Sequence, residues 1–186
     1  MAYPELYILR HGETEWNATN RMQGRLNSPL TDKGERDAAR QGNILRGLDL
    51  SGFAFLSSPS GRAFQTAAIA CGPLAEAIHT DPRLMEIDVG DWSGRLRDDL
   101  PMPDGPDPLL QQYDMAPNGE GLDALATRAQ AFLDDLTGPA VLVTHGITSR
   151  ALRSILVGPE ALGPSSVHGG QGVVYHVKDG VQTVLD

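Results

Sequence analysis

Apolar residues fall along this chain in short solid runs, separated by longer stretches where they recur every three or four positions. Residues 5–9 (Glu-Leu-Tyr-Ile-Leu) form the first run and predict a strand that passes directly into Arg-His-Gly. Thr31 then opens a predicted helix of about 18 residues, to residue 48, with Ala38, Leu45 and Leu48 near one face and charges on the other. Residues 53–56 predict a second strand. Ser57-Ser58-Pro59 fits a helix start, because hydroxyls accept free amides and proline suits the first turn. Arg62 then lies in the first turn of a helix that runs through Thr66, Ala67 and Ile69 to a stop at Gly72. A short third strand is expected at about residues 77–80.

Further on, Leu122, Leu125, Ala126, Ala129, Phe132, Leu133 and Leu136 share one helical face, and Gly138-Pro139 ends that helix. Residues 140–143 predict a buried strand running into Thr144-His145-Gly146, and residues 173–177 and 181–185 a hairpin turned by Asp179-Gly180. Residues 95–121, with five prolines and three glycines, predict an irregular excursion rather than a core element. Alternating strands and helices imply an α/β fold: a three-layer sandwich with a mostly parallel central sheet and helices on both faces. We expect residues 1–186 to form a single domain with an irregular insertion at about 95–121. Ligands of such sheets collect beyond the carboxyl ends of the strands, where His11, Arg62 and His145 are all predicted to sit.

Composition narrows the function classes. The chain has 186 residues, 40% of them apolar and 21% charged, as expected of a globular protein. No run approaches the roughly 20 apolar residues of a membrane span, and Met-Ala-Tyr-Pro-Glu does not resemble a secretory leader, so a cytoplasmic protein is expected. The net charge of −9 opposes loose association with nucleic acid or an anionic membrane. An anion site must then be a local convergence of positive groups. Cys71 is the only cysteine and lies in an apolar helical run, where it reads as a small core side chain.

The segment Leu9-Arg10-His11-Gly12-Glu13-Thr14-Glu15-Trp16-Asn17 joins a cation, an imidazole, a glycine and an amide at a strand-to-loop junction. Arginine offers a fork of donors matched to phosphate oxygens, Asn17 a neutral donor, and Gly12 close backbone approach. Arg-His-Gly-Glu-Thr-x-x-Asn resembles the signature of the histidine phosphatase superfamily, which includes cofactor-dependent phosphoglycerate mutases. The likeness continues in order through Gly24, Pro29-Leu30-Thr31-x-x-Gly34, Ser57-Ser58-x-x-x-Arg62-Ala63-x-x-Thr66-Ala67, Leu84-x-Glu86, Gly90-x-Trp92-x-Gly94 and Thr144-His145-Gly146. It covers most of the chain outside residues 95–118.

The resemblance implies that His11 is the nucleophile, that Arg10, Arg62 and His145 bind the phosphoryl oxygens, and that Asn17 helps them. Glu86 falls at the family's proton donor, with Asp88 and Asp91 as neighbours able to stand in. The backbone around Gln23 and Gly24 is expected to approach the phosphate or the leaving group. These residue types suit the chemistry. A neutral imidazole attacks phosphorus, nearby arginines keep it unprotonated, and a carboxyl serves first as acid and then as base. A buried Glu86 beside an anionic phosphate should hold its proton more firmly.

Other readings carry less. Trp16 and Trp92 are expected to pack, His79 and His176 to have no role, and His168, before Gly169-Gly170-Gln171-Gly172, to lie near the site if any of these does. There is no His-Glu-x-x-His, no cysteine pair and no nucleotide-binding glycine loop, so no metal or other cofactor is expected. Residues 95–121 carry two arginines against six acids, a balance expected to repel multiply charged substrates. Leu100, Met102, Leu109, Leu110, Tyr113 and Met115 offer apolar contacts to a larger organic group instead. Gly119-Glu120-Gly121 departs from the family's Gly-Glu-Ser. The expected function is hydrolysis of a small phosphorylated substrate through phosphohistidine at His11. A cofactor-dependent phosphoglycerate mutase is the alternative, with a non-catalytic phospho-ligand binder behind it.

Overall fold

Two five-residue runs, Leu6–Arg10 and Ala140–Thr144, are buried at every position, as strands covered on both faces must be. They are β1 and β4 of six strands in a computed structural model that describes residues 3–165 and 169–186. The others are β2 (Ala54–Ser57), β3 (His79–Thr80), β5 (Val174–Lys178) and β6 (Val181–Leu185). The α-helices are α1 (Glu15–Ala18), α2 (Asp32–Arg46), α3 (Gly61–Cys71), α4 (Pro108–Asp114), α5 (Leu122–Asp134) and α6 (Gly146–Val157). The strands lie in the order β3-β2-β4-β1-β5-β6. The first four run parallel, while β5 is antiparallel to β1 and β6 to β5.

The period of two along β1 and β4 divides the core. Tyr7, Leu9, Val141 and Val143 pack with Leu45 of α2 and Ala63, Ala67 and Cys71 of α3. Leu6, Ile8, Ala140 and Leu142 pack on the opposite side with Phe132 and Leu133 of α5 and Leu152 of α6. This is the three-layer sandwich expected. Removing each large apolar side chain from water contributes about 1.5–3 kcal/mol, so α5 is held by its buried stripe rather than by propensity alone.

Several boundaries differ from expectation for local reasons. Thr31 caps α2 by accepting from the Gly34 amide at 3.1 Å, but the helix ends at Arg46, with Leu48 packed beyond it. Ser57 ends β2 instead of starting a helix; α3 begins at Gly61, its cap residue Ser60 makes no side-chain capping bond, and Arg62 is in the first turn as expected. Ala126 is exposed rather than on the buried face of α5. Asp179 and Gly180 both take positive φ, 51° and 75°, as a tight hairpin turn requires. Helix α6 is absent from the sequence expectation, although Ile147, Ala151, Leu152 and Ile155 carry its apolar face.

The region 95–121 is more ordered than predicted. It holds a 3-10 turn, Arg97–Asp99, and the short α4, and it sends Leu100 and Ala116 into a third core cluster with Met22, Val89, Trp92 and Leu125. Residues 20–22 pair with 94–97: Met22 N donates to Arg95 O at 2.8 Å and Arg97 N to Asn20 O at 2.9 Å. That pairing aims Arg97 inward.

Candidate active site

The ladder between β1 and β4 continues one residue past the strand, His11 N donating to Thr144 O at 2.9 Å. Gln41 of α2 fixes the same edge, its Nε2 donating to Arg10 O at 3.0 Å and Val173 O at 2.9 Å. The chain then turns through Gly12, where a Cβ would lie 2.1 Å from Gly34 O; only glycine lets the start of α2 dock here. Gly12 N donates to Thr66 Oγ1 at 3.1 Å, tying the turn to α3.

The His11 ring is 3% exposed, with Nδ1 2.7 Å from Gly12 O. A carbonyl only accepts, which assigns the proton to Nδ1 and leaves the lone pair on Nε2. Arg62 Nε donates to that Nε2 at 3.1 Å. Burial first, then the charges of Arg62 and Arg10, hold the His11 pKa well below the ordinary value of 6.5. The arginines invoked from sequence do contribute, but desolvation dominates.

Arg62 is 1% exposed and anchored on three sides. Nη1 donates to Leu26 O at 2.7 Å, Nη2 to Gly24 O at 2.8 Å, and its backbone amide to Asn27 Oδ1 at 2.9 Å. Burial lowers its pKa to about 10, so the guanidinium stays charged near neutral pH. Gly24 adopts φ +53°, and a Cβ there would meet the Val89 side chain at 2.6 Å. Arg10 donates to Gly169 O at 2.6 Å.

His145 caps α6 by position and is buried, its ring centre 5.1 Å from that of His11 in an edge-on arrangement. Its Nε2 lies 2.8 Å from Ser58 Oγ, while the buried Nδ1 has no hydrogen-bond partner among the described residues. Burial, then Arg62, His11 and Arg10, keep its pKa well below the ordinary value. Glu86 sits over the same helix start. Its Oε2 accepts from Ile147 N at 3.1 Å, and its Oε1 from Thr148 N at 3.0 Å, Ile87 N at 3.0 Å and Thr148 Oγ1 at 3.1 Å.

Arg10, His11, Asn17, Gln23, Gly24, Arg62 and Glu86, all singled out from sequence, line one cavity. Asn17 Oδ1 accepts from Thr14 N and Gln171 Nε2, each at 3.2 Å, which leaves its Nδ2 as the available donor. The Gln23 side chain is spent internally, between Thr14 Oγ1 at 3.1 Å and Ser28 Oγ at 3.0 Å. Asp88 and Asp91 face elsewhere, toward Arg25 and Asn118. His79 is exposed, and His176 stacks on Tyr7 and meets Glu5 at 2.7 Å. Trp92 is buried, and Trp16 lies against Gly94. His168 falls outside the described residues.

Arg21, Arg97 and Tyr113 also line this cavity, and no motif marks them. Arg97 is buried, donates to Gln112 Oε1 at 3.0 Å and to the Tyr113 hydroxyl, and lies 4.8 Å from the Tyr113 ring centre. The acids of the insertion do not offset it at the site. Asp98, Asp99, Asp104 and Asp114 are exposed, and Asp107 and Glu120 are ion-paired to Arg150 and Arg128. The net charge of residues 95–121 therefore does not describe the charge at the cavity, contrary to expectation. Of the six apolar residues, Leu109 and Tyr113 line a second cavity beside Arg10; Leu100 is core, Leu110 packs on it, and Met102 and Met115 are exposed.

The profile of the histidine phosphatase superfamily (branch 1) matches residues 6–179. The chain belongs to that superfamily. Among its relatives, "Probable phosphoglycerate mutase GpmB" of Enterobacter sp. (strain 638) is 36% identical over 163 residues, 83% of this chain and 75% of the relative. The same-named protein of Yersinia pestis (strain Pestoides F) is 36% identical over 164 residues, with the same shares covered. The solved structure of TTHB049 from Thermus thermophilus is 33% identical with a TM-score of 0.72, covering 98% of this chain and 97% of that one. Bacillus stearothermophilus YhfR is 31% identical with a TM-score of 0.70, covering 97% and 95%. Among the described residues of this superfamily member, no group of three or more His, Cys, Asp or Glu is placed to hold a metal ion. No helix among them is long and apolar enough to cross a membrane.

Proposed function

We propose that this chain hydrolyses a small phosphomonoester through a phosphohistidine on Nε2 of His11. The observation that carries the reading is the locked tautomer: Nδ1 is committed to Gly12 O, so an unprotonated Nε2 faces Arg62. In the first step the Nε2 lone pair attacks phosphorus and the bond to the bridging oxygen breaks. That oxygen takes a proton from Glu86. In the second step water attacks phosphorus, Glu86 takes the water proton, and the N–P bond returns its electron pair to Nε2.

Arg10, Arg62 and the Asn17 amide hold the equatorial oxygens, where charge grows in the transition state. In the tautomer that carries its proton on Nδ1, His145 accepts from Ser58 Oγ at Nε2 and offers the otherwise unpartnered Nδ1–H to a phosphoryl oxygen. The cavity beside Arg10 has a volume of about 300 Å³, within the range that takes drug-sized ligands and roomier than a three-carbon acid requires. It favours an ester with a substantial organic part.

Phosphoglycerate mutase activity is the second reading, supported by the names of the relatives and by Arg97, an added cation at the site. The test is incubation with phenyl phosphate in the absence of added metal, following phosphate release and acid-labile phosphate on the protein. Release with a phosphoenzyme, both lost in His11→Ala, supports the hydrolase. Interconversion of phosphoglycerates without net phosphate release supports the mutase. Binding of phosphate esters without either leaves only a binder.

A further inference from the structure

The cavity beside Arg10 is lined for charge as well as for carbon. Arg10, Arg97 and Tyr113 are shared with the His11 cavity, so the two spaces meet at those side chains. A second wall comes from Arg150 and Arg153, three residues apart on α6 and hence on one helix face. Arg153 is 8% exposed, with its guanidinium 3.8 Å from the Tyr175 ring centre. Its Nε meets Ser149 O at 3.3 Å and Ser149 Oγ at 3.2 Å, and Nη1 donates to Gln182 Oε1 at 3.0 Å. All three acceptors are neutral.

Arg150 reaches Asp107 Oδ2 at 3.2 Å, and that oxygen also accepts from Ser165 N at 3.0 Å and Ser165 Oγ at 2.9 Å. Neither Arg97 nor Arg153 forms an ion pair with a carboxylate among the described residues. Burial and the neighbouring Arg150 both pull the Arg153 pKa down, against the Tyr175 contribution, so its charge is held at a cost. Buried charges in proteins are ordinarily paired. A chain of net charge −9 that keeps two guanidinium groups here without carboxylates is fitted for an anion from outside.

We propose that this cavity is a second anion subsite, selecting through Arg153 for a carboxylate or phosphate group. Its placement rests on the reading of the His11 cavity as the phosphoryl site. An ester with its phosphoryl group at His11 extends its organic part past Arg10, between Leu109, Ile147 and Leu162, and brings a second acidic group to Arg153. The same chemistry would accept a separate small anion bound beside the ester.

Calorimetric titration of the full chain with benzylphosphonate and 4-carboxybenzylphosphonate, neither of which can be hydrolysed, reads the subsite without turnover. The carboxylate is expected to tighten binding about tenfold or more, as a charge-assisted hydrogen bond allows. Within Arg153→Met the two phosphonates should bind alike, and Arg153→Lys should recover part of the difference. A neutral ligand, 4-carbamoylbenzylphosphonate, removes the charge from the other side and must lose the gain on the unaltered protein even if the methionine variant does not fold. Benzoate alone separates the sources. Arg153-dependent benzoate binding without a gain in the linked compound assigns a free anion, and a gain confined to the linked compound assigns the substrate's own second acid. Equal affinities with no Arg153-dependent benzoate binding overturn the proposal, as does a gain that survives Arg153→Met or charge removal. Phenyl phosphate turnover by the same preparations reports on the phosphatase reading alone: its absence with the gain retained removes the hydrolase and keeps the subsite.

Discussion

Arg62 Nε donates to His11 Nε2 across 3.1 Å, so the cation that would hold a phosphoryl oxygen already rests on the nitrogen that would attack it. The contact also keeps protons off that nitrogen. Arg62 itself is placed by backbone carbonyls at Gly24 and Leu26, which makes the loop after α1 part of the machinery. Replacing Arg62 by Lys keeps a charge but cannot reproduce the fork. We expect Arg62→Lys to lower kcat about 10²–10³-fold, the cost of one lost oxyanion donor, and to lower the melting temperature as well, because the Leu26 and Gly24 carbonyls lose their partners. Steady-state kinetics with phenyl phosphate, beside a thermal melt, check it.

His11 and His145 make stability depend on pH. Both are held below the ordinary value of 6.5, so the unfolded chain binds protons in a range where the native chain does not. Stability from burying the neutral rings is complete above pH 6.5 and is lost as pH falls below it. Each ring should remove up to about 1.4 kcal/mol per pH unit on the way down. Urea unfolding between about pH 7.5 and 5.5 should show the decline, and His145→Gln should make it shallower. A flat profile, or a decline unchanged in the variant, would count against neutral buried rings.

How much of this could be read beforehand depends on what a residue does locally. Arg10, His11 and His145 end apolar runs, and Arg62 opens a helix, so strand and helix periodicity already placed them at the carboxyl ends of the strands. Helix α6 has no separate start signal in the sequence, because its apolar positions begin at Ile147, immediately behind Thr144-His145-Gly146. Ser58 read as a helix start although its hydroxyl meets His145. Arg97 was not legible as a site residue at all. Its direction is set by pairing between residues 20–22 and 94–97, a contact with no local signal. Counting the charges of residues 95–121 failed for the same reason: exposed acids and an inward arginine weigh equally in a sum.

Gly12 and Gly34 are predicted to be intolerant of any side chain. A Cβ on Gly12 would lie 2.1 Å from Gly34 O, and one on Gly34 would lie 2.0 Å from Glu13 O. The blocking atoms are backbone and cannot swing away. Gly12→Ala should cost about 1–3 kcal/mol of unfolding free energy and displace His11 as well. Urea titration gives the first and phenyl phosphate turnover the second; an alanine variant of native stability would show that α2 can back away.

Cys71 lies in the α2–α3 layer at 1% exposure, and burial pushes its thiol up to about 12. The thiolate is the reactive form, so the native protein should be inert to a thiol reagent near neutral pH. Modification should appear only as the chain unfolds, with a rate that follows urea concentration. Rapid labelling of the folded protein would place Cys71 at a mobile surface instead.

Glu86 is the proposed proton donor, and its role separates from its structural contacts through the leaving group. Both of its oxygens accept from the start of α6, so Glu86→Gln turns one acceptor into a donor facing Ile147 or Thr148 amides and disturbs the helix start in every assay. A structural loss of that kind lowers turnover equally for all esters. Loss of the acid does not: an alkoxide leaves poorly without a proton, whereas 4-nitrophenolate leaves readily. Glu86→Gln should therefore lower kcat/KM, which reports the phosphorylation step, about 10²–10⁴-fold on an alkyl phosphate and far less on 4-nitrophenyl phosphate. Dephosphorylation, which needs the same group as base, should slow for both, so phosphoenzyme should accumulate with the nitrophenyl ester. Quench-flow measurement of the His11 phosphoenzyme beside steady-state rates on the two esters decides it. Equal losses on both, with no accumulation, would leave Glu86 as an anchor of α6 and return the acid to water.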